Sequence, residues 1–234
     1  MGVASGPRFP GIENGLVFAI DPLNQESWAG PDSDIVNSLV LHNPVSGSII
    51  NDTSGSYGIS SSFTFDGTDD KITGTGALIS GNNSRSISLW YKIGTNAAMI
   101  PFSLGGPADS DNGSQFAYCI NKSGFGTAAI FGKNSAYDTS DFSVPRTDVD
   151  GNWHHLVVTY DQTSLKVYLD NSLEATPSLP SSTYNTSAGF TISGWSIAGN
   201  RLLNGQVGPV LVYNRALTAL EVSQNYNQLK SRFT

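Results

Sequence analysis

Apolar and polar residues alternate with a period of two in many short segments of this chain. The clearest example is the segment 86–93, in which Ile87, Leu89, Tyr91 and Ile93 fall on one side. Successive side chains of a β-strand point to opposite faces, so this alternation predicts strands that bury one face. The other segments with strand-like patterns are 16–20, 49–50, 63–65, 100–104, 115–121, 128–132, 153–160, 165–169, the surroundings of Leu173, 190–193, 196–198 and 206–213.

A single helix is predicted close to the C-terminus, at residues 219–229. Thr218 stands three residues before Glu221, which is the spacing of a capping box. Leu217 and Val222 occupy the flanking positions of a hydrophobic staple. The face that packs on the rest of the domain is predicted from residues that recur at i, i+4 and i+7, namely Val222, Tyr226 and Leu229.

The order of these elements predicts the fold class. About a dozen strands follow one another with no βαβ alternation, which is typical of an all-β protein. We therefore predict a two-sheet antiparallel jelly-roll sandwich with one short C-terminal helix, covering residues 15–234. Only 13% of the residues are charged, and the abundant Gly, Ser, Thr and Asn suit tight turns between strands.

Residues 1–14 are predicted to form an extended N-terminal arm, because their Gly and Pro content prevents both a helix and a regular strand. The arm nevertheless carries Val3, Phe9 and Ile12, apolar side chains for which a solvated tail has little need. Two interpretations stay open: a frayed terminus, or an arm that docks on a partner.

The formal net charge of −7 and the lack of a basic cluster argue against nucleic acid as a partner. No stretch approaches the ~20 apolar residues of a membrane span, so no membrane partner is expected. The first residues lack the apolar region of a signal peptide. Five sequons for N-glycosylation begin at Asn51, Asn82, Asn112, Asn121 and Asn185. They arise by chance in a chain rich in Asn, Ser and Thr, so glycosylation is not expected.

Three groups of segments carry a family resemblance. They are FTFDGTDDKI at 63–72 with ISLWYK at 87–92, then GNWHHLVVTYD at 151–161 with LKVYLD at 165–170, then IAG at 197–199 with LNGQVG at 203–208 and VYNRALT at 212–218. Together they resemble the concanavalin A-like lectin/glucanase superfamily, in its laminin-G-like (pentraxin-like) branch. The resemblance spans roughly residues 14–228, and it predicts the fold more strongly than the function.

The chain departs from the family pattern at two positions. Pro209 stands where the family usually has an acidic residue, and Asn171 stands where Gly is frequent. Proline cannot donate to a ladder, so we expect its strand to lie at a sheet edge or to carry a bulge there. The opening segment 15–24, followed by Ser27 and Trp28, looks like a start found in tailed-phage structural proteins that carry this domain.

The resemblance implies three functional hypotheses. The first is a non-enzymatic virion protein, a head-decoration or fibre-type component that presents a lectin-like jelly roll for adhesion or capsid cementing. Its partners would be a capsid or other virion protein, bound through the arm, and a cell-surface glycan, and the arm would also support a homo-oligomer. The second is a carbohydrate-binding lectin module of a bacterial surface or secreted protein, and the third is a glucanase.

Catalysis is disfavoured because glycoside hydrolysis needs two carboxylates close together, and no array of alternating acids occurs. His154 and His155 are adjacent on a predicted strand, so they point to opposite faces and cannot chelate one metal together. The resemblance implies a structural pair with one ring buried. The glutamates are few and far apart in sequence: Glu13, Glu26, Glu174 and Glu221.

Calcium is the one ion that the sequence suggests, although no cofactor is required. Asp109 and Asp111 place hard oxygen ligands at close spacing, as a Ca²⁺ loop does. No Glu follows at the distance of an EF-hand, and an ordinary Asx-rich turn is the alternative interpretation.

Three aromatic residues lie in or beside polar segments, where they are candidates for stacking on sugar rings: Tyr57, Tyr137 and Trp195. Trp90 and Trp153 lie inside predicted strands and are expected in the core. Cys119, the only cysteine, alternates with apolar neighbours and is predicted to be a buried small residue rather than a reactive thiol.

Overall fold

The computed structural model describes residues 12–22, 49–51, 62–68, 70–74, 78–95, 97–105, 113–124, 126–132, 135–145, 149–186, 189–194 and 201–234. These residues form fourteen strands and a C-terminal helix. The strands are β1 Leu16–Ile20, β2 Ile49–Asn51, β3 Phe63–Asp66, β4 Ile72–Gly74, β5 Arg85–Ile93, β6 Phe102–Leu104, β7 Phe116–Ile120, β8 Thr127–Phe131, β9 Phe142–Ser143, β10 Trp153–Tyr160, β11 Leu165–Leu169, β12 Ser172–Ala175, β13 Phe190–Ile192 and β14 Asn204–Tyr213.

Two seven-stranded antiparallel sheets face each other. The first sheet has the order β1-β14-β5-β10-β11-β12, and β3 pairs with the other half of β14. The second sheet has the order β2-β4-β13-β6-β7-β8-β9. The predicted sandwich with one short C-terminal helix is therefore confirmed.

The main hydrophobic core lies between the two sheets. It takes the inward-facing residues of the long strands, including Leu89 and Tyr91 of β5 and Leu156 and Val158 of β10. The opposite face of the first sheet is also buried, because the helix α1 (Ala219–Leu229) covers it. Strands covered on both sides explain why β5 is buried at eight of its nine positions.

The helix begins as the sequence predicts. Thr218 Oγ1 accepts from the backbone N–H of Glu221, and the Glu221 carboxylate accepts from the backbone N–H of Thr218. Arg215 forms a two-point ion pair with the same carboxylate, at 2.6 and 2.8 Å. Of the predicted face, Val222 and Leu229 are buried and Tyr226 is half-buried.

The sequence missed one residue of this face. Asn225 is fully buried, and its amide donates to the hydroxyl of Tyr213 at 3.0 Å. Its oxygen accepts from the backbone N–H of Ile12 at 2.9 Å. The last residues of the predicted arm are thus bound to the helix, whereas residues 1–11 lie outside the described residues.

The strand predictions hold with two omissions. The predictions missed β4 and β9, which have three and two residues, too few to show an alternation. The predicted strand at 196–198 lies outside the described residues.

Pro209 shows which of two expectations is right. Its strand β14 lies between β1 and β5, so the expectation of an edge strand is wrong. The pairing of β14 with β5 shifts register between Val207 and Val210, which is the predicted bulge. The bulge removes the ladder position that would need the missing N–H of proline.

Candidate functional site

The candidate site is built on a buried arginine at the start of β5. Arg85 is fully buried, and its Nε donates to Asn83 O at 2.9 Å. Its Nη2 donates to Gly81 O at 2.6 Å, and its Nη1 donates to Thr186 Oγ1, also at 2.6 Å. One guanidinium group therefore joins the turn before β5 to a segment a hundred residues further along.

Thr186 completes this connection from the other side. Its hydroxyl donates to Ile79 O at 2.7 Å, and its carbonyl accepts from the N–H of Gly81, also at 2.7 Å. We call the joined residues 79–85 and Thr186 the Arg85 clamp. The clamp holds Asn82, which lies between the two carbonyls that Arg85 binds.

The charge of Arg85 is stabilised by aromatic rings rather than by an acid. Its guanidinium carbon lies 5.4 Å from the ring centroid of Phe116 and 5.7 Å from that of Tyr160. No carboxylate of the described residues pairs with it. Burial lowers the pKa of Arg85 to about 10, so the group is charged at neutral pH.

A polar cavity of about 500 Å³ lies beside the clamp, within the size range of small-ligand pockets. Its described lining consists of amide, hydroxyl and aromatic side chains: Asn82, Tyr137, Ser181, Ser182, Thr183, Tyr184 and Asn185. Sugars are recognised by such a combination, since their hydroxyl groups both donate and accept hydrogen bonds.

The walls of the cavity are joined by backbone hydrogen bonds. The N–H of Ser182 donates to Ala136 O at 2.9 Å, and the N–H of Asn185 donates to Gly113 O at 2.8 Å. Behind them, the ring of Tyr184 packs edge-on against Phe116 and Tyr160 in the core. These contacts preorganise the segment 181–185 before any ligand binds.

Tyr137 provides the half-exposed aromatic surface of the cavity. Its half-buried ring lies against Gly113, where an added Cβ would come within 2.6 Å of two ring carbons. Gly113 also has a φ of +80°, which favours glycine. On the opposite side, the Tyr160 hydroxyl donates to Asn82 Oδ1 at 2.5 Å and orients that amide.

The structure thus places one of the three predicted glycan contacts, Tyr137, in a cavity. Tyr57 and Trp195 lie outside the described residues, as do Asp109 and Asp111 of the predicted calcium loop. Within the described ranges, no group of three His, Cys, Asp or Glu side chains is placed to hold a metal ion.

The sequence predictions missed the polar walls of the cavity. Asn82 and the segment 181–185 belong to Asn-, Ser- and Thr-rich stretches, which indicate loops of any kind. The Arg85 clamp brings these stretches together, and no local sequence pattern predicts this contact.

A second, smaller cavity of about 380 Å³ lies beside β3, β14 and β5. Its lining includes Lys92 and Gln206, and the Gln206 amide donates to Thr64 Oγ1 at 3.3 Å. Only one ring, that of the buried Phe65, belongs to its described lining. It therefore lacks the half-exposed aromatic surface that distinguishes the Tyr137 cavity.

The two adjacent histidines point to opposite faces of β10, as predicted. His155 is buried beneath the helix, where its Nε2 lies 2.9 Å from Ser88 Oγ and its ring contacts Trp90 and Tyr226. Burial lowers the pKa of His155 to about 3. A neutral ring enclosed in this way has a structural role.

His154 is held by two carboxylates. Its Nδ1 lies 2.7 Å from Asp170 Oδ2, and its Nε2 lies 3.1 Å from Asp150 Oδ1. Burial alone would lower the pKa of His154, but the hydrogen bonds to Asp170 and Asp150 outweigh it and raise the pKa above 6.5. The charged imidazolium therefore stabilises the folded state.

We expect the stability of the wild-type protein to fall as the pH rises from about 6.5 through the raised pKa of His154, because the stabilising proton is then lost. Between pH 6 and 9, urea unfolding of His154→Gln should show a weaker pH dependence than the wild type, since glutamine does not titrate. The pKa of His155 is lowered, so this residue makes the stability rise with pH, and it does so only below about pH 6.5. It therefore contributes little to the pH dependence between pH 6.5 and 9. A His154→Gln profile parallel to the wild type over this range would contradict the assignment.

Cys119 is fully buried on β7, as predicted. Burial raises the pKa of its thiol to about 11, so the reactive thiolate is scarce at neutral pH. Arg201 Nη1 lies 3.1 Å from its sulfur.

The two-sheet fold defines the protein as a lectin-like jelly roll. The chain matches the family model described as the concanavalin A-like lectin/glucanases superfamily over residues 66–223. The chain belongs to this superfamily, which confirms the superfamily named from the sequence. No curated protein matches the chain significantly.

Solved structures share the fold at low sequence identity. The botulinum neurotoxin serotype D binding domain has a TM-score of 0.63 and 12% identity, over 91% of this chain and 50% of that one. The same identity, coverage and TM-score apply to the serotype D ligand binding domain in complex with N-acetylneuraminic acid. Domain 4 of an extracellular arabinanase from Geobacillus stearothermophilus, in complex with arabinotriose, has a TM-score of 0.57 and 18% identity, over 93% and 99% of the two chains.

The chain spans about half the length of the neurotoxin domains that it matches. At these identities the likeness shows the fold alone. In the described part of the chain, no helix has the length and apolar character needed to cross a membrane.

Proposed function

We propose that this chain is a non-enzymatic carbohydrate-binding module that holds a glycan in the Tyr137 cavity. The observation that carries the proposal is a half-exposed aromatic ring facing preorganised amide and hydroxyl groups in one cavity. An aromatic face packs on the apolar face of a sugar ring, while the polar walls bind the hydroxyl groups. Two structures with the same fold were solved with sugars bound, arabinotriose and N-acetylneuraminic acid.

The carboxyl groups support a binding role over hydrolysis. A glycosidase needs a carboxylic acid whose pKa is raised so that it can protonate the leaving group. The pKa values of Asp150, Asp161 and Glu221 are instead lowered by hydrogen bonds that outweigh any burial. Asp150 pairs with His154, Asp161 accepts hydrogen bonds within a turn, and Glu221 caps the helix and pairs with Arg215.

Replacing Tyr137 by alanine is expected to weaken glycan binding by about 10-fold or more, as at aromatic hot spots of other interfaces. A glycan array identifies the ligand, and titration calorimetry with the wild type and the variant measures the affinities. Tyr137→Phe keeps the ring and should retain most of the affinity, and Gln206→Ala in the second cavity is the matched control. The proposal fails if the wild type binds no glycan or if Tyr137→Ala binds as tightly as the wild type.

We further propose that the module belongs to a virion, as a head-decoration or fibre-type protein, with a bacterial surface or secreted lectin as the alternative. The support is the phage-like opening segment 15–24 and the tethered base of the arm, where Asn14 O accepts from Arg215 Nε at 3.0 Å. The arm would then bind a capsid protein or a second copy of the chain. Immunogold labelling of phage particles tests this placement, and particles without label would exclude it.

Calcium binding by Asp109 and Asp111 stays a proposal of the same kind. The two aspartates precede Gly113 in the sequence, and Gly113 packs against the ring of Tyr137. Glycan titrations in the presence of Ca²⁺ and of a chelator would show whether the ion supports binding.

A further inference from the structure

We infer that the Tyr137 cavity selects neutral, hydroxyl-rich sugars over sugars that carry a carboxylate, an inference that rests on the proposed glycan-binding function. The described lining consists of two tyrosines, two serines, one threonine and two asparagines, and none of these side chains carries a formal charge at neutral pH. Recognition by these side chains depends on hydrogen bonds and ring contacts.

The nearest buried cation is not free to bind an acidic ligand. All three guanidinium nitrogens of Arg85 already donate to Gly81, Asn83 and Thr186. The group is fully buried beneath the lining. An ion pair with a ligand carboxylate would require the clamp to open, which would disorganise the wall that carries Asn82.

Asp138, an acid next to Tyr137 in the sequence, acts on the pKa of Tyr184 in the opposite direction to Arg85. Asp138 follows Tyr137 directly, and its Oδ1 accepts from the backbone N–H of Gly132 at 2.9 Å. Burial is the main cause that raises the pKa of Tyr184. The charge of Asp138 adds to this rise, whereas the charge of Arg85 opposes it. Asp138 thus brings a negative charge to this wall of the cavity, which opposes the positive charge of Arg85 there.

The net charge of the chain strengthens the argument. The whole chain has a formal net charge of −7, which disfavours the approach of an anionic ligand. A carboxylate entering the cavity would lose its hydration without gaining an ion pair from the described lining, which is unfavourable. Neutral hydroxyl groups find donors and acceptors in the Asn, Ser and Thr side chains.

The test compares pairs of oligosaccharides that differ only in a terminal acid, such as a galactose-terminated glycan and the same glycan capped by N-acetylneuraminic acid. Calorimetry with the full chain should give at least about 10-fold weaker binding of the acidic member. The affinity for the neutral member should be insensitive to salt, because no charge pair contributes.

A gain-of-function variant makes the test sharper. Asn185 is exposed at the cavity, so Asn185→Lys should raise the affinity for the acidic member about fivefold at low salt and lose this gain at high salt. Asn227→Lys makes the same change of charge on an exposed part of the helix and should have no effect. If the wild type prefers the acidic member, or if Asn185→Lys and Asn227→Lys act alike, the inference is wrong while glycan binding stands. If the chain binds no sugar at all, both proposals fail.

Discussion

Replacing Arg85 by methionine is expected to lower the free energy of unfolding by about 2–4 kcal/mol, because the buried hydroxyl of Thr186 and two partly buried carbonyl groups lose a charged donor. Gly81 O and Asn83 O both accept from this side chain, and Thr186 Oγ1 loses its shortest contact. Removing a buried cation that lacks a carboxylate partner recovers part of the loss, since the desolvation penalty disappears. The hydrogen bonds dominate because the Thr186 hydroxyl stays buried after its charged donor is removed.

Urea unfolding followed by tryptophan fluorescence measures this effect. Arg85→Lys is the informative control, since it keeps the charge but has one nitrogen in place of the three that the clamp uses. We expect Arg85→Lys to be destabilised nearly as much as Arg85→Met, and the variants that still fold should bind glycan more weakly because Asn82 is no longer held. A loss of stability below about 1 kcal/mol in both variants, within the range of an ordinary hydrogen bond, would mean that the clamp is not a structural centre.

Replacing Phe233 by alanine is expected to lower the free energy of unfolding by about 3–5 kcal/mol, as for buried aromatic residues in protein cores. The ring is only 8% exposed. Its centroid lies 4.7 Å from that of Trp90 and 4.6 Å from that of Trp153. The ring also covers the bulge of β14, since a Cβ on Gly208 would come within 2.8 Å of its Cζ.

The comparison of Phe233→Ala with Thr234→Ala isolates this effect. Both positions lie at the chain end, where residues are usually frayed and tolerant of change. Thr234 is exposed and hydrogen-bonds only within the last turn, so its replacement should leave the melting temperature almost unchanged. Phe233→Ala should lower the melting temperature by many degrees. Equal melting temperatures for the two variants would show that the aromatic cluster at Trp90 does not depend on the C-terminus.

The sequence predicted only some features of the site. Tyr137 was recognisable as an aromatic residue in a polar segment, because loop aromatics rarely have a core to fill. The opposite orientation of His154 and His155 follows from strand geometry. Their different chemistry does not, since it depends on Asp150 and Asp170 on one side and on the helix on the other.

The sequence by itself determined the long strands, the helix with its capping box, the bulge or edge at Pro209 and the superfamily. These features depend on periodicity and on residues a few positions apart, which are interactions that a linear pattern records. Only the tertiary structure decided that Pro209 lies in a central strand and that β4 and β9 exist, because a very short strand is defined by its neighbours. The cavity belongs to the same class: Asn82, Tyr137 and the segment 181–185 meet through strand pairing and through a buried arginine whose partners lie up to 101 positions away.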